Sequence, residues 1–468
     1  MAEYFVVSNR GPYGAHLRDG QPTLRRGAGG LVTAMLPLVR QGTMGWTFPI
    51  STDTERAALS AGLYGTELPG LDPVAVDPDD YEGAYNRISN EILWYLNHGM
   101  FSLSRTPSFD SRFYTHWKQY SAYNESIAEH LADGLPAGAA VLLQDYHLFL
   151  VPKFLRKHRP DLRLSLFLHT PFAEPGEFSI LPSSVAAEIL ASLGDLDRIG
   201  FHSSRWRDNY LATCDRNDAS TAAVTWVAPL GSDEAELEES CADPAVAERA
   251  AQLAALAKGR RIIGRVDRME PSKNILRGIH AVVELFKFYP WMMREVVHVA
   301  NCYPSREALS DYASYASEVS AAAKEANSYL RSMAKILGFE PPGDPIEIMS
   351  SDDYPLSLAL LRQSDILLVN PIRDGLNLVA SEGPLINQND CPLILSRNAG
   401  IAEVVGDAAA VVNPFDVRET ALALFSALQL EAAERRARAA RLRAALSSQN
   451  PAVWMDAQVS WLKGQGHP

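Results

Sequence analysis

Cysteine is scarce in this sequence of 468 residues. Only Cys214, Cys241, Cys302 and Cys391 are present, and they lie far apart with no C-x-x-C pair. Because disulfide frameworks and zinc sites need cysteines at short, regular spacings, the pattern predicts neither and is typical of a reducing cytoplasm. The sequence also lacks an H-E-x-x-H motif and clustered Cys/His ligands, so it predicts no metal site.

Positive charge and long apolar runs are scarce as well. The 43 Lys and Arg are outnumbered by 56 Asp and Glu, and the net charge of −13 argues against nucleic acid or an anionic membrane as a partner. No apolar run approaches the length of a membrane span. The opening MAEYFVVSNR lacks a basic segment and predicts a strand instead of a signal peptide. We therefore expect a cytoplasmic protein that acts on small molecules.

The sequence is rich in alternating strand and helix patterns. They run through the first half and resume after an acidic, alanine-rich stretch, with strand patterns EVVHVAN, IEIMS, DILLVN, PLILS and AAVVNPF in the second half. Alternation of this kind predicts an α/β protein whose parallel sheets carry helices on both faces. We predict an N-terminal domain over 1–235, a C-terminal domain over 236–440 and a helical tail over 441–468.

The segment PIRDGLNLVASE (371–382) follows one of these strands directly. Gly375 permits a tight turn, and a helix is predicted from Asn377. A strand that turns sharply into a helix offers unpaired backbone N–H groups and a positive dipole end, where phosphate and sugar oxygens bind. Asp374 and Glu382 can accept hydrogen bonds from hydroxyls nearby. An ordinary capped helix on a sheet gives the same pattern, so this stretch alone leaves both interpretations open.

Polar side chains also follow other strands of the predicted sheets. Arg10 ends the first strand, and Asp145 and His169 each follow a long apolar run. Ligands of open parallel sheets bind beyond the carboxyl ends of the strands, so these residues are site candidates. Arg268 and Lys273 lie five residues apart after a strand, where two cations suit a diphosphate. A lone histidine or surface cation is ordinary, and the argument depends on their occurring together.

Taken in order, these segments resemble the motifs of the trehalose-phosphate synthase family. The resemblance extends from about Tyr4 to Asp416 through SNR, AGG, QDYHL, FLHTPF, VDRMEPSKN and RDGLNLVASE. It implies a GT-B fold, in which two Rossmann-like, doubly wound parallel-sheet domains face a cleft and the C-terminal tail crosses back to the first domain. The sequence departs from the family at Pro271 and Asn274, where Tyr and Gly are commoner, and after Trp94, where a proline and an aromatic residue usually follow.

The resemblance implies roles for individual residues. The donor sugar nucleotide would be bound by Gly30, His169, Arg268, Lys273, Asp374, Gly375, Leu376, Asn377, Leu378 and Glu382. The acceptor would be bound by Arg10, Tyr85, Trp94, Asp145, Tyr146 and Arg306, with Trp46 as a further candidate for the pocket wall. Catalysis would depend on Gly30, Asp145, His169, Arg268, Lys273 and Asp374. Tyr85 and Trp94, taken singly, are equally typical of core aromatics on an amphipathic helix.

The resemblance also implies a reaction, in which glucose passes from a nucleoside diphosphate to the anomeric hydroxyl of glucose 6-phosphate with retained configuration. The product is α,α-trehalose 6-phosphate. The cations and the amides after Gly375 would stabilise the departing diphosphate, and neither a metal nor another cofactor is expected. The site candidates include few carboxylates, which disfavours glycoside hydrolysis by a carboxylate pair.

Three other functions are compatible with parts of the sequence. GPLINQNDCPLILS resembles the validoxylamine phosphate synthases, which join cyclitols and use guanosine donors. We therefore expect GDP-glucose to be favoured over UDP-glucose. A glucan phosphorylase dependent on pyridoxal phosphate would need a cofactor-lysine motif, which we do not find. A catalytically silent sugar-phosphate sensor is the third alternative.

The sequence does not determine the oligomeric state, and a homo-oligomer is one of the states that it allows.

Overall fold

The computed structural model describes residues 3–27, 30–305 and 310–463. The chain forms two compact units, Met1–Leu230 with Pro451–Pro468, and Gly231–Asn450. The sequence placed its divisions after residues 235 and 440. All four cysteines are buried and free.

The first unit contains nine strands and the first ten α-helices of the described chain. The strands are β1 Tyr4–Ser8, β2 Tyr13–Arg18, β3 Gln21–Arg26, β4 Met44–Ile50, β5 Leu71–Ala75, β6 Ala140–Gln144, β7 Arg163–Leu168, β8 Arg198–Phe201 and β9 Val224–Val227. The helices are α1 Gly30–Arg40, α2 Asp53–Ser60, α3 Leu63–Glu67, α4 Pro78–Glu82, α5 Trp94–His98, α6 Ser111–Gly134, α7 Val151–His158, α8 Pro175–Phe178, α9 Ser183–Gly194 and α10 Ser204–Arg216.

Seven of these strands form one parallel sheet in the order β5-β4-β1-β6-β7-β8-β9. The chain starts at β1, builds outward to β5, and then returns to continue from β6 on the other side. The strand order therefore reverses between β1 and β6, and such a reversal creates a crevice at the carboxyl ends of the two strands. Arg10 follows β1 and Asp145 follows β6, so two predicted site residues lie at this point.

The sheet forms because its central strands are apolar on both faces. All five residues of β6 are buried, as parallel strands covered by helices on both sides require. The helix predicted around Tyr85 is present, but its first part, Gly83–Leu93, is a π-helix that continues into α5. Such wide turns are rare and occur often at functional sites, and sequence periodicity does not distinguish them from an α-helix.

The second unit contains six strands and nine α-helices within the described residues. The strands are β10 Arg261–Arg268, β11 Val296–Tyr303, β12 Ile346–Met349, β13 Ile366–Val369, β14 Leu393–Ser396 and β15 Ala410–Val412. The helices are α11 Glu234–Cys241, α12 Pro244–Ala257, α13 Ile275–Phe288, α14 Ser310–Ile336, α15 Tyr354–Gln363, α16 Val379–Ile386, α17 Ala402–Val405, α18 Val417–Leu428 and α19 Ala432–Ser447.

The six strands form a second parallel sheet in the order β12-β11-β10-β13-β14-β15. Its strand order reverses between β10 and β13, so the same crevice rule applies to this unit. The prediction of two doubly wound parallel sheets is confirmed. The acidic helical stretch before β10 is divided into α11 and α12, because Asp243 caps a new helix whose first residue is Pro244.

The final α-helix, α20 Pro451–Val459, belongs to the first unit. Trp454 is fully buried, and its ring packs 5.1 Å from Phe167 of β7. Helices of the described residues are too short or too polar to cross a membrane. Over the same residues, His, Cys, Asp and Glu form no cluster suited to a metal ion.

Candidate active site

In the second unit, the crevice between β10 and β13 brings two predicted donor residues together. Lys273 follows β10, Asp374 follows β13, and Lys273 Nζ lies 2.6 Å from Asp374 Oδ2. Both side chains are mostly buried. Burial by itself disfavours the charged lysine, but Asp374 and Asp267 outweigh it and raise the pKa of Lys273. A half-enclosed ammonium that stays charged is suited to binding a phosphate oxygen.

Carboxylates are more numerous at this site than the sequence suggested. Arg268 Nη2 lies 3.2 Å from Glu270 Oε1, and Lys273 Nζ lies 4.0 Å from Asp267 Oδ1. Buried Arg265 pairs with Asp267 at 2.8 Å. The expectation of few carboxylates was therefore wrong, because charges buried at a strand end need partners of opposite sign. Arg268 remains about one-third exposed, so the predicted diphosphate cation is accessible.

The loop that follows Arg268 accommodates the two departures from the family pattern, Pro271 and Asn274. Pro271 begins a short 3-10 turn, for which its fixed φ is suited. Asn274 has a φ of 60°, in the left-handed region where glycine is usual and asparagine is the best-tolerated alternative. Its amide donates to the carbonyls of Asn370 and Pro414 at 2.9 and 2.8 Å. The asparagine side chain therefore stabilises this turn through hydrogen bonds, which a glycine at the same position could not form.

The segment after β13 differs from the prediction at its turn and at the start of its helix. The residue in the left-handed conformation is Asn377, with a φ of 85°, and not Gly375. Asn377 accepts a hydrogen bond from the Ala380 N–H at 3.0 Å, and α16 therefore begins at Val379 and not at Asn377. Asn377 also donates to Asp374 Oδ2 at 3.1 Å, which orients that carboxylate beside Lys273.

Three successive backbone amides in this segment have no acceptor in the part of the chain that the structure describes. The N–H groups of Leu376, Asn377 and Leu378 find no acceptor among the described residues. Buried N–H groups are seldom left without an acceptor, and three in a row beside a lysine are suited to an anion. Glu382 lies one turn into α16. Burial, reinforced by Glu236, raises the pKa of Glu382 to about 7.

In the first unit, the crevice between β1 and β6 brings two predicted acceptor residues together. Arg10 Nη2 lies 2.5 Å from the Tyr85 hydroxyl, and the guanidinium lies 5.3 Å from the centre of the same ring. Tyr85 also stacks between Tyr81 and His147. The guanidinium is exposed and points to no carboxylate in the described hydrogen-bond network, so it is available to an anionic group.

Asp145, after β6, has an unusual backbone conformation. Its φ of 74° and ψ of 169° lie in a region that is essentially restricted to glycine. Its Oδ1 accepts hydrogen bonds from the His169 N–H at 3.2 Å and the Thr170 hydroxyl at 3.4 Å. Burial raises the pKa of Asp145 to about 6. A strained, partly exposed carboxyl at the strand-order reversal is a strong candidate for a functional group.

Both ring nitrogens of His169 have partners in the protein. Nε2 lies 3.0 Å from Gln144 Oε1, and Nδ1 lies 3.2 Å from His202 Nε2. The ring keeps part of its surface exposed, yet the protein packed around it lowers the pKa of His169 to about 3. The histidine is therefore neutral at physiological pH and forms hydrogen bonds without contributing charge.

Three predicted acceptor residues are more buried than their proposed roles require. Trp46 is fully buried and donates its indole N–H to Ser8 Oγ at 2.8 Å, so it supports the loop after β1 and is not a pocket wall. Tyr146 is also fully buried, with its hydroxyl on Asn90, which excludes its side chain from a pocket surface. Trp94 is 7% exposed and stacks on His98 at 3.9 Å, as a core aromatic does.

Arg306 lies outside the described residues, and its role stays a prediction. Gly30 is the first residue of α1, while Ala28 and Gly29 before it lie outside the described residues, and the role of Gly30 stays a prediction.

Sequence reasoning missed several residues that contact the candidates. Asp267 and Glu270 lie inside the recognised segment VDRMEPSKN and were overlooked because only its cations were considered. His202 follows the apolar strand β8, which is the same signal that identified Asp145 and His169. Gln458 lies in α20, and nothing in the sequence connects it with His169.

Two doubly wound parallel sheets, each with polar residues at the point where its strand order reverses, define a glycosyltransferase of the GT-B fold. The chain belongs to glycosyltransferase family 20, whose family model matches residues 2–464. The cations and backbone amides after β10 and β13 in the second unit, and the Arg10–Tyr85 pair in the first, are consistent with that class.

Individual relatives cover nearly the whole chain. An alpha,alpha-trehalose-phosphate synthase [UDP-forming] of Yarrowia lipolytica is 29% identical, over 99% of this chain and 100% of its own length. A validamine 7-phosphate valienyltransferase of Streptomyces hygroscopicus subsp. jinggangensis is 27% identical, over 98% of this chain and 94% of its own. The crystal structure of an alpha,alpha-trehalose-phosphate synthase (UDP-forming) from Burkholderia vietnamiensis superposes with a TM-score of 0.82 at 23% identity, covering 99% and 100% of the two chains.

Proposed function

We propose that this glycosyltransferase transfers glucose from a nucleoside diphosphate glucose to glucose 6-phosphate and forms α,α-trehalose 6-phosphate. The observation that carries the proposal is the anion site of the second unit. Lys273, Arg268 and the amides of Leu376, Asn377 and Leu378, which have no acceptor among the described residues, lie at the carboxyl ends of neighbouring strands. Such a group of hydrogen-bond donors is suited to a diphosphate.

The proposed mechanism is electrostatic. The bond between the glucose anomeric carbon and the diphosphate oxygen breaks, and a bond to the acceptor's anomeric oxygen forms on the same face. The acceptor proton moves to the departing diphosphate, whose negative charge Lys273, Arg268 and the amides stabilise. Asp374, which contacts Lys273 and Asn377, would accept a hydrogen bond from a sugar hydroxyl of the donor. No metal or other cofactor is needed for these steps.

For the acceptor, Arg10 and Tyr85 in the first unit provide a cation and a hydroxyl 2.5 Å apart. A phosphate monoester suits this pair, because a guanidinium offers several donors and the phosphate carries close to two negative charges. Asp145 would accept a hydrogen bond from the reacting hydroxyl. The family resemblance implies Arg306 as a further acceptor-binding cation.

The donor base is a separate matter. The segment 383–396 predicts a guanosine donor, but the relatives reported above that carry a nucleotide in their names are UDP-forming. Those names weigh against the guanosine prediction, and both bases belong in the assay.

A cyclitol donor is the second candidate, favoured by the likeness to the validamine 7-phosphate valienyltransferase. That likeness is of the same order as the one to the trehalose-phosphate synthase. The donor and acceptor groups described above do not distinguish a glucose ring from a cyclitol ring, so substrate turnover must decide.

The test is turnover with GDP-glucose and UDP-glucose in parallel, each with glucose 6-phosphate, free glucose or no acceptor. Release of nucleoside diphosphate measures rate, and nuclear magnetic resonance of the product identifies the α,α linkage. We expect release that depends on glucose 6-phosphate and yields trehalose 6-phosphate. A cyclitol nucleotide that is coupled while both glucose donors are inert would establish the second candidate. Binding of the sugar phosphate without any release would indicate a silent sensor.

A further inference from the structure

Four side chains of the first unit form a continuous hydrogen-bonded chain through His169. His202 Nε2 contacts His169 Nδ1 at 3.2 Å, His169 Nε2 contacts Gln144 Oε1 at 3.0 Å, and Gln144 Nε2 contacts Gln458 Oε1 at 3.2 Å. Gln144 and Gln458 are separated by 314 residues in sequence. The C-terminal helix α20 therefore reaches the site through buried polar groups as well as through Trp454.

At the His202 end, a backbone amide determines which atoms of this hydrogen-bonded chain donate and which accept. The Leu230 N–H donates to His202 Nδ1 at 3.2 Å, so that nitrogen accepts and carries no proton. A neutral His202 then has its proton on Nε2 and donates to His169 Nδ1. His169 Nδ1 accepts in turn, and its proton must be on Nε2.

The other end fixes the same direction independently. Gln144 Nε2 donates to the Leu142 carbonyl at 3.2 Å and to Gln458 Oε1 at 3.2 Å, and both of these atoms are acceptors. The amide of Gln144 is therefore oriented with its nitrogen away from His169 and its oxygen toward it. An oxygen at that place requires a proton on His169 Nε2. The hydrogen bonds at both ends of the chain therefore assign the same tautomer to His169, with its proton on Nε2.

We propose that Gln144, His202 and Gln458 are positioning residues that hold His169 in its Nε2–H tautomer. Trp454 fixes the ring plane, because its ring packs 5.7 Å from the imidazole at an angle of 52°. A hydroxyl that approaches Nε2 then meets an N–H donor and must offer its lone pair. This assignment rests on the proposed function. The hydroxyl belongs to the donor sugar, and it competes with Gln144 Oε1 for the hydrogen bond from His169 Nε2–H.

The experiment compares two substitutions of Gln458. Gln458→Leu keeps the volume but removes the acceptor that orients Gln144, whereas Gln458→Glu keeps an oxygen at that place. Asp456→Ala, on the exposed face of α20, serves as the matched control. Nuclear magnetic resonance of the 15N-histidine-labelled full chain reports the tautomer, with the His169 signals identified by their loss in His169→Ala. Steady-state kinetics with nucleoside diphosphate glucose are measured on the same proteins.

We expect the Nε2–H tautomer in the wild-type protein and in Asp456→Ala. In Gln458→Leu we expect a mixture of tautomers and a KM for the sugar nucleotide raised roughly fivefold to hundredfold, the range for misplacing one buried hydrogen-bond partner. The KM for glucose 6-phosphate should stay near its wild-type value, and Gln458→Glu should recover most of the loss. Equal loss in Leu and Glu variants would indicate a purely structural residue and overturn the inference.

The two proposals fail separately. A wild-type His169 protonated on Nδ1 overturns the positioning inference whatever the substrate is. The Nε2–H tautomer in a protein that releases no nucleotide supports the tautomer assignment and overturns the proposed function.

Discussion

Lys273 Nζ lies 2.6 Å from Asp374 Oδ2, although the two residues are 101 positions apart in the sequence. They meet because β10 and β13 are neighbours in the sheet. The contact keeps the lysine charged and ordered before a substrate arrives, so little reorganisation is needed on binding. It also means that a diphosphate must share Lys273 with Asp374.

Removing a cation of this site should slow the reaction. Lys273→Ala and Arg268→Ala should each lower kcat by roughly tenfold to a thousandfold, because each removes one stabiliser of the departing charge. Steady-state kinetics check this, and Lys324→Ala on the exposed side of α14 is the control. Unchanged kcat in both site variants, with cooperative unfolding preserved, would show that the diphosphate is bound elsewhere.

Arg10 should determine whether the acceptor's phosphate matters. Arg10→Ala should raise the KM for glucose 6-phosphate by roughly tenfold to a hundredfold, since a hydrogen bond to a charged group contributes about 1.5–3 kcal/mol. Affinity for the sugar nucleotide, measured by calorimetry, should change little. Arg216→Ala, an exposed cation at the end of α10, provides the comparison. We expect the same effect from Arg306→Ala. Equal use of glucose and glucose 6-phosphate by the wild-type protein would contradict the assignment.

The backbone strain at Asp145 predicts that a glycine at this position gives a more stable fold than an alanine does, although neither supports activity. Asp145→Gly and Asp145→Ala both lose the carboxylate, but only glycine adopts the observed φ and ψ without strain. The glycine variant should therefore be more stable than the alanine variant by about 1–3 kcal/mol, measured by denaturant unfolding. Both should lose most activity. Equal stability of the two variants would mean that the backbone relaxes and that the strain is absent in solution.

Glu382 should make stability depend on pH. Its pKa is about 7 in the folded protein against 4.5 ordinarily, so between these values the folded state binds more protons than the unfolded state. The free energy of unfolding should consequently fall as the pH rises from about 4.5 through about 7. Glu382→Gln stays neutral and should remove this part of the fall, whereas Glu325→Gln, exposed on α14, should not. Thermal unfolding at several pH values measures it, and parallel curves for wild type and Glu382→Gln would disprove it.

The fold was predictable from the sequence because its signals are local. An apolar strand followed by a turn and a helix is visible in AVLLQ or DILLVN without any knowledge of distant residues. The same signal located Asp145, His169 and Asp374, since a strand end in a parallel sheet is also a ligand edge. The resemblance to a family then assigned these positions to a donor or an acceptor.

The rest depends on contacts that a linear pattern does not contain. Trp46 lies inside β4 and Tyr146 begins the short 3-10 helix after Asp145, and the fold buries both side chains in the core. Gly375 was the predicted turn residue because glycine permits a tight turn, whereas Asn377 takes the left-handed conformation and accepts a capping hydrogen bond from the Ala380 N–H. Gln458 was unpredictable, because only the folded chain brings α20 to β6.

The first unit is assembled from both ends of the chain, which has a consequence during translation. The segment Gly231–Asn450 is synthesised between β9 and α20, so 220 residues (450 minus 230) are added before Gln458 and Trp454 emerge. At 5–20 residues per second this takes on the order of 10–40 seconds. Throughout that interval the nascent N-terminal unit exposes Phe167 and His169, which α20 later covers. The ribosome-bound chain should therefore offer a chaperone an apolar surface that the released protein lacks.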